Sequence, residues 1–277
     1  MNLENLYNII QIFILRCKHF FLVNLSAIKF HYNKNITQDL KIIIKEIKKN
    51  GYIVMPNYFS KQICDEIIKD IDLHLSRKSE RIWKDEEESD FRIYGANFIK
   101  NRDIYNFFCD EKILLIVENY MKLKIENAFT MAAKIVFNDR NKGSGGGWHR
   151  DSINPSVKAM MYLNDVDEKN GPLQIIEESN SARNILKDHK VIKKNKFTDT
   201  RFSNDEIKKI IYSRSANIKT IKQKAGTLII FDGSYIHRGC PILEKNRYAL
   251  TNYYSPKFRV ERERDSVKSF LLQSKKI

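Results

Sequence analysis

The sequence predicts a mainly β protein of the α+β class, in which N-terminal helices pack on one sheet of an antiparallel barrel or jelly roll. Up to about residue 122, apolar residues recur at the spacing of amphipathic helices. From about residue 124, short runs rich in β-branched and aromatic residues alternate with turn signals. A run of helices followed by a run of strands is typical of such a fold.

The helical part has clear starts and ends. Thr37 and Ser60 are each placed to cap a helix, and Asn50-Gly51 marks the end of the first one. The highly charged stretch 78–90 predicts a solvated loop. Helices are therefore predicted over residues 37–49, from 60 to about 75, and within 103–122, with a short strand at 52–55.

The β part consists of short predicted strands with turns between them, such as the one at Asn170-Gly171-Pro172. Residues 181–223 interrupt this pattern as a polar and basic insert or lid, with a helix near 204–212. The predicted strands are 129–137, 157–163, 173–176, 227–231, 236–237 and 248–254.

Two terminal segments flank the main domain, which is predicted over residues 37–258. Residues 1–36 form an N-terminal extension, in which 7–23 predicts an amphipathic helix. Charged residues in the middle of that stretch exclude a transmembrane span, and it has no signal-peptide pattern. The helix either packs on the core or docks to a membrane surface or a partner through residues 1–30. Residues 259–277 are predicted to be a charged tail.

The composition indicates a folded protein of a reducing compartment. Of the 277 residues, 42% are hydrophobic and 11% aromatic, which excludes a disordered chain. The four cysteines form no C-x-x-C pair, which disfavours a zinc ribbon or disulfide framework and predicts a cytoplasmic location. A net charge of +15 raises nucleic acid as a partner, but the basic residues are spread along the chain, as in a lysine-rich composition.

The stretch from Gly143 to Asp151, GSGGGWHRD, carries the strongest chemical signal. Residues two apart in an extended segment point to the same face, so His149 and Asp151 converge. One imidazole and one carboxylate are two thirds of the 2-His-1-carboxylate set that suits non-haem Fe(II). A distant histidine must complete the set, and His237, after the predicted strand 227–231, is the candidate. The glycines predict a flexible lip, because no phosphate-loop residues follow them.

Arg247 follows His237 in a strand-like stretch and predicts an anion-binding position. An arginine that points into a barrel needs an anion, because an unpaired buried charge is costly. A guanidinium binds a carboxylate in a bidentate manner. A dicarboxylate co-substrate that chelates iron with one end would place its other end on Arg247.

Several features follow one another in a characteristic order: WHRD at 148–151, YLNDVDEKNGPL at 162–173, AGTLIIF at 225–231, and His237 followed by Arg247. Together they resemble the phytanoyl-CoA dioxygenase (PhyH) family of Fe(II)/2-oxoglutarate oxygenases. The resemblance covers roughly residues 38–256. It implies a double-stranded β-helix, a cupin-like jelly roll, with Fe(II) as metal and with 2-oxoglutarate and O2 as co-substrates.

The resemblance also implies roles for individual residues. His149, Asp151 and His237 would bind Fe(II), and Arg247 would bind the far carboxylate of 2-oxoglutarate. Lys134, on the strand before the metal loop, matches a polar residue that assists the co-substrate in the family.

The substrate pocket is less defined by the resemblance. Gly239 departs from the family pattern, since many members have a Ser or Thr there that helps hold 2-oxoglutarate. Trp148 is expected either to pack beside the metal site or to form an aromatic wall of the pocket. The residues expected to line the substrate pocket are Tyr94, Asn97, Trp148 and Tyr162.

The predicted activity is hydroxylation of an unactivated C–H bond of a small organic substrate, with 2-oxoglutarate and O2 converted to succinate and CO2. Asp151 favours hydroxylation, because family members that halogenate lack this carboxylate. Acyl, amino-acid and sugar-derived substrates are all compatible with the family. The alternatives are a dioxygenase that modifies nucleic acid or protein, and a non-catalytic barrel that binds a metal or ligand. DNA-repair dioxygenases carry a second arginine soon after the first, where this chain has Tyr253-Tyr254.

Overall fold

The computed structural model describes residues 37–77, 79–193 and 199–273, together with seven scattered residues between Tyr7 and Phe21. Those seven are helical, and most of the predicted N-terminal amphipathic helix lies outside the described residues. Among the residues that are described, no helix has the length and apolar character needed to cross a membrane.

Seven α-helices are described in full. They are α1 (Gln38–Asn50), α2 (Lys61–Leu75), α3 (Arg102–Phe108), α4 (Glu111–Met121), α5 (Ala182–Ile192), α6 (Asn204–Arg214) and α7 (Val260–Gln273). The Thr37 hydroxyl caps α1 by accepting a hydrogen bond from the Leu40 amide, and Ser60 caps α2 through the Ile63 amide. Gly51 ends α1 at φ +85°, a conformation that glycine adopts without strain.

Twelve strands form two antiparallel sheets in the described ranges. They are β1 (Tyr52–Met55), β2 (Ile82–Lys84), β3 (Asp90–Tyr94), β4 (Ile125–Val136), β5 (Trp148–His149), β6 (Val157–Tyr162), β7 (Leu173–Ile176), β8 (Arg201–Phe202), β9 (Ile218–Ile221), β10 (Leu228–Asp232), β11 (His237–Gly239) and β12 (Asn246–Pro256). One sheet has the order β1-β10-β6-β12-β4-β3-β2, and the other β8-β5-β11-β7-β9. From β4 to β7 and from β10 to β12 the chain alternates between the sheets, which confirms the predicted jelly roll.

The two faces of the seven-stranded sheet have different neighbours. Its outer face packs on the N-terminal helices in a cluster that includes Ile47, Ile67, Ile116, Met161 and Leu250. Its inner face meets the five-stranded sheet in a cluster that includes Met160, Tyr162, Ile175 and Phe231. Each such buried aliphatic side chain contributes about 1.5–3 kcal/mol to folding. A slip of one residue would exchange the two faces, so burial fixes the register.

The segment 181–223, predicted as an insert or lid, is built into the five-stranded sheet. Its strands β8 and β9 form the two edges of that sheet by pairing with β5 and β7. Ile207 and Ile210 of α6 pack in one cluster with Trp148 and Phe202, on the outside of the sheet. The described part of the segment is therefore a structural layer, because its apolar side chains cover a sheet face. Residues 194–198 lie outside the described ranges.

Two other segments differ from the sequence predictions. The predicted loop 78–90 contains β2, which pairs with β3. The predicted charged tail 259–277 contains α7, in which Val260 and Leu271 are buried. The helix forms because Val260, Val267 and Leu271 lie on one stripe of an otherwise charged sequence.

Candidate metal centre and substrate cavity

The three predicted metal-site residues meet between the two sheets. His149 in β5 and His237 in β11 are direct partners in the antiparallel register, and their ring centroids are 4.4 Å apart. Asp151 follows β5, and its backbone amide donates to the carbonyl of Gly233 at 2.9 Å. The strand pairing thus places His237 beside residues that are more than 80 positions away in the sequence.

The ligand atoms of these three side chains lie within 4.8 Å of one another. Asp151 Oδ1 is 3.7 Å from His149 Nε2 and 3.9 Å from His237 Nε2. Two imidazoles and one carboxylate gathered on one side of a point are the donor set of non-haem Fe(II) oxygenases, which leaves coordination positions open. These three side chains could together hold one divalent metal ion.

Backbone carbonyls orient both imidazoles. His149 Nδ1 is 2.9 Å from the carbonyl oxygen of Gly147, and His237 Nδ1 is 2.9 Å from that of Tyr235. Each Nδ1 therefore carries the proton and donates it to the carbonyl, which leaves the Nε2 lone pair directed toward the other ligands. The rings are held in the tautomer that metal binding requires.

The protonation states also suit a metal. Burial lowers the pKa of His149 to about 3, with a further contribution from His237, and burial lowers the pKa of His237 as well. Burial by itself would raise the pKa of Asp151, but Lys158 and the two histidines outweigh it and lower this pKa to about 2. At neutral pH the group is therefore two neutral imidazoles and one carboxylate, the forms that bind metals.

Arg247 lies in the same cavity as the histidines, a space of about 80 Å³ between the sheets. Its side chain is buried and donates to the carbonyl of Gly171, whereas its Nε has no hydrogen-bond partner among the residues that the structure describes. Burial lowers the pKa of Arg247, yet a guanidinium stays charged in proteins. A buried cation with an unused donor is an anion-binding position.

Gly239 gives Arg247 its space. A Cβ atom at position 239 would lie 2.9 and 3.0 Å from the two terminal guanidinium nitrogens and 2.8 Å from the Ser144 Cβ. A Ser or Thr, the residue that many family members have there, would therefore collide with this arrangement.

Lys134 does not reach this cavity. Its ammonium lies 2.8 Å from Asp72 of α2 and 5.4 Å from the ring centroid of Tyr248. Its strand neighbours Ala133 and Ile135 pack in a separate cluster, and Ile135 is the direct strand partner of Arg247. Successive strand residues point to opposite faces. Lys134 consequently faces the helices, and its position does not support the predicted role in binding 2-oxoglutarate.

A second cavity, of about 470 Å³, opens next to the metal site and includes Asp151 in its lining. Tyr94 is the one predicted pocket residue that lines it. The Tyr94 and Phe129 rings are 6.0 Å apart, and Phe129 stacks on Tyr253 at 4.7 Å, so the three form an aromatic wall. Helix α7 also lines the cavity, through Val267 and through Phe270, whose ring is 5.7 Å from that of Tyr94.

The other three predicted pocket residues have structural contacts instead. Asn97 accepts a hydrogen bond from the Thr130 amide. Trp148 is 3% exposed, and it packs under α6 with the Arg238 guanidinium 4.4 Å from its ring centroid. Tyr162 is fully buried, and its hydroxyl accepts a hydrogen bond from the Leu173 amide. None of the three lines either of the two cavities at the metal site.

Lys158 and Arg92 are the charged residues of the site that the sequence analysis missed. Lys158 in β6 is 2.7 Å from Asp151 Oδ2, and Arg92 in β3 forms a two-pronged ion pair with Asp90. A signal for Lys158 was present, since alternation places it on the same strand face as the buried Met160. Deciding which face is the inner one requires the tertiary structure.

Two antiparallel sheets that enclose a His–Asp–His group and a buried arginine define the jelly-roll class of metal-dependent oxygenases. The model of the phytanoyl-CoA dioxygenase (PhyH) family matches residues 47–243, and the chain belongs to this family. It is a 2-oxoglutarate-dependent oxygenase with iron and 2-oxoglutarate as cofactors. The matched range contains His149, Asp151 and His237, whereas Arg247 lies just beyond its end.

Solved structures share the fold at low sequence identity. EctD from S. alaskensis with bound Fe has a TM-score of 0.59 and 14% identity, with 82% of this chain and 79% of that chain covered. The epimerase SnoN, in complex with Fe3+, alpha ketoglutarate and nogalamycin RO, has a TM-score of 0.57 and 12% identity, with 79% and 84% covered. HygX from Streptomyces hygroscopicus, with nickel, 2-oxoglutarate and hygromycin B bound, has a TM-score of 0.55 and 13% identity, with 80% and 88% covered. No curated protein sequence matches the chain.

Proposed function

We propose that this oxygenase hydroxylates an unactivated C–H bond of a small organic molecule. In this proposal His149, Asp151 and His237 bind Fe(II), and Arg247 binds the far carboxylate of 2-oxoglutarate. The observation that carries it is the convergence of three ligand atoms within 4.8 Å, in the cavity that also holds the buried Arg247.

The residues present fit both cofactors. The neutral imidazoles and the ionised carboxylate form a donor set for a divalent metal without any change of protonation. The unpartnered Nε of Arg247 offers a donor that a carboxylate oxygen would satisfy. Hydrogen bonds to backbone carbonyls already orient His149, His237 and Arg247, and an ion pair with Lys158 orients Asp151.

Bound iron supplies the O2 chemistry that couples conversion of 2-oxoglutarate to succinate and CO2 with oxidation of the substrate. The residues of the chain position the co-substrate and the metal ligands. Arg247 orients the far carboxylate, and the carbonyls of Gly147 and Tyr235 keep each Nε2 turned to the metal. The aromatic wall and α7 line the cavity in which the substrate would be oxidised.

Hydroxylation is the outcome that Asp151 supports, because a carboxylate ligand fills the position that a halide takes in halogenating members of the family. A small-molecule substrate is supported by the cavity of about 470 Å³, which is of the size that holds small organic ligands. Two structural relatives, SnoN and HygX, also have small molecules bound, nogalamycin RO and hygromycin B.

We propose that residues 37–258 form the catalytic domain and that α7 adds a wall to its large cavity. We also propose that the protein works in the cytoplasm. The described cysteines are free thiols, as is usual in a reducing compartment.

Anaerobic titration with Fe(II) and 2-oxoglutarate tests the metal assignment. We expect a weak visible charge-transfer band in the wild type and its loss in His149→Ala. His74→Ala is the control, since His74 contacts the Asp70 carbonyl within α2, away from the metal site, and should retain the band. A wild type without the band, or a band that persists in His149→Ala, would contradict the proposal.

A further inference from the structure

Lys158 is a buried cation at the junction of the two cavities. It lines both the small cavity that contains Arg247 and the large cavity bordered by α7. Its side chain is 13% exposed, and its ammonium lies 4.9 Å from the Tyr253 ring centroid. A lysine in this position borders the metal ligands on one side and the aromatic wall on the other.

The charges around Lys158 are unbalanced once the site is loaded. The acidic partner of Lys158 is Asp151, at 2.7 Å, which the metal also needs. Among the groups that line the two cavities, bound Fe(II), Lys158 and Arg247 would bring more positive charge than Asp151 and doubly ionised 2-oxoglutarate neutralise, so one positive charge would remain. The buried Asp232, whose charge acts on His237, lines neither cavity. Arg92 does not change this balance, because Asp90 pairs with it.

The remaining cavity surface near Lys158 is uncharged and combines the polar residues Ser152, Asn154 and Ser156 with aromatic side chains. The wall of Tyr94, Phe129 and Tyr253 leads from Lys158 toward Val267 and Phe270 of α7. The other charged residues that line the cavity, Arg259 and Glu263, have opposite signs and exposed side chains. The uncompensated charge is therefore at the inner end, beside the metal ligands.

We infer that the substrate is an organic monoanion, such as a carboxylate, whose acidic group pairs with Lys158 and whose apolar body lies along the aromatic wall. This inference rests on the proposed function and names the chemistry of its substrate. A charged partner in a largely desolvated site contributes selectivity, because a neutral molecule would leave Lys158 with only the Asp151 carboxylate, which the metal also needs.

Calorimetric binding to the anaerobic protein, loaded with Fe(II) and 2-oxoglutarate, tests the inference without turnover. The probes are 5-phenylpentanoate and its neutral analogue 5-phenylpentanamide. We expect the wild type to bind the carboxylate at least tenfold more tightly than the amide. Lys158→Met should bind the two probes within about twofold of each other, whereas Lys158→Arg should keep the preference because it keeps the charge.

Lys134→Met is the matched control, because Lys134 is also paired with an aspartate but faces the helices; it should keep the full preference. A wild type that does not prefer the carboxylate, or a Lys158→Met variant that still prefers it, overturns the inference. The charge-transfer band tests the proposed function separately. A wild type that shows no band rejects the proposed function. A wild type that shows the band but does not prefer the carboxylate probe rejects only the proposed substrate class. If Lys158→Met does not fold, Lys158→Gln replaces it.

Discussion

Individual glycines shape the metal centre as much as its ligands do. A Cβ atom at Gly233 would lie 2.0 Å from Asp151 Oδ2, and one at Gly145 would lie 2.6 Å from His149 Cε1. Contacts this short cannot exist, so the ligand side chain would have to move. The close approach of backbone to ligand explains why only glycine fits at these two positions.

Gly233→Ala should weaken metal binding, because the added methyl group displaces the Asp151 carboxylate. We expect the Fe(II) affinity to fall at least tenfold, measured by anaerobic competition with a chelator. Gly146→Ala is the control: the nearest atom to a Cβ there is a guanidinium nitrogen of Arg201 at 3.4 Å, and its φ of +69° predicts only a loss of about 1 kcal/mol in folding stability. Equal metal affinities in the two variants would contradict the steric explanation.

The direction in which a side chain points from its strand decides which lysine can act at the metal site. In β6, Lys158 faces inward with Met160, whereas in β4, Lys134 faces outward with Ala132. Both lysines stand in apolar strands near the metal motif, so the amino-acid sequence presents them as similar. The family resemblance predicted that Lys134 assists 2-oxoglutarate. Strand alternation turns Lys134 toward the helices and Lys158 toward Asp151.

Arg247→Gln should reduce 2-oxoglutarate binding, because it removes the buried cation that is proposed to bind the far carboxylate. Loss of a charged hydrogen-bond partner costs about 1.5–3 kcal/mol, roughly a 10- to 150-fold rise in Kd. Quenching of tryptophan fluorescence on anaerobic titration measures this. Lys134→Met should leave the Kd within about twofold of the wild type. A large rise in Kd for Lys134→Met with little change for Arg247→Gln would reverse the assignment.

At the scale of the whole molecule, a buried charge cluster joins the metal loop to the segment 181–223. Asp188 of α5 lies 3.2 Å from the Arg150 guanidinium and 2.9 Å from that of Arg214 in α6. Arg150 stands between two of the proposed metal ligands and also donates to the Ser234 carbonyl. The outer helices thereby hold the loop that carries His149 and Asp151 against the strand that leads to His237.

Asp188→Asn should destabilise the whole fold by about 3–5 kcal/mol, because it leaves two buried guanidinium groups without a counter-charge. Denaturant unfolding of the metal-free protein measures the change. Asp205→Asn is the matched control, as its pair with Lys208 is exposed and contributes less than about 1 kcal/mol. Similar unfolding midpoints for the two variants would show that the cluster adds little.

The sequence by itself determined the chemistry of this protein. The metal set and Arg247 were recognisable because a reaction of this kind needs particular residue types, and His149 and Asp151 are neighbours in the chain. The order of helices before strands was also readable, since amphipathic spacing and capping residues are local signals.

Only the tertiary structure decided what surrounds that chemistry. Strand pairing selects the face on which Lys158 and Lys134 lie, and a shift of one residue would exchange them. The segment 181–223 forms the two edges of the five-stranded sheet, and residues 260–273 form part of a cavity wall. Both positions depend on apolar contacts with residues far away in the chain. The periodic pattern of a helix is visible in the sequence, but the surface that the helix covers is not, since that depends on how the whole fold closes.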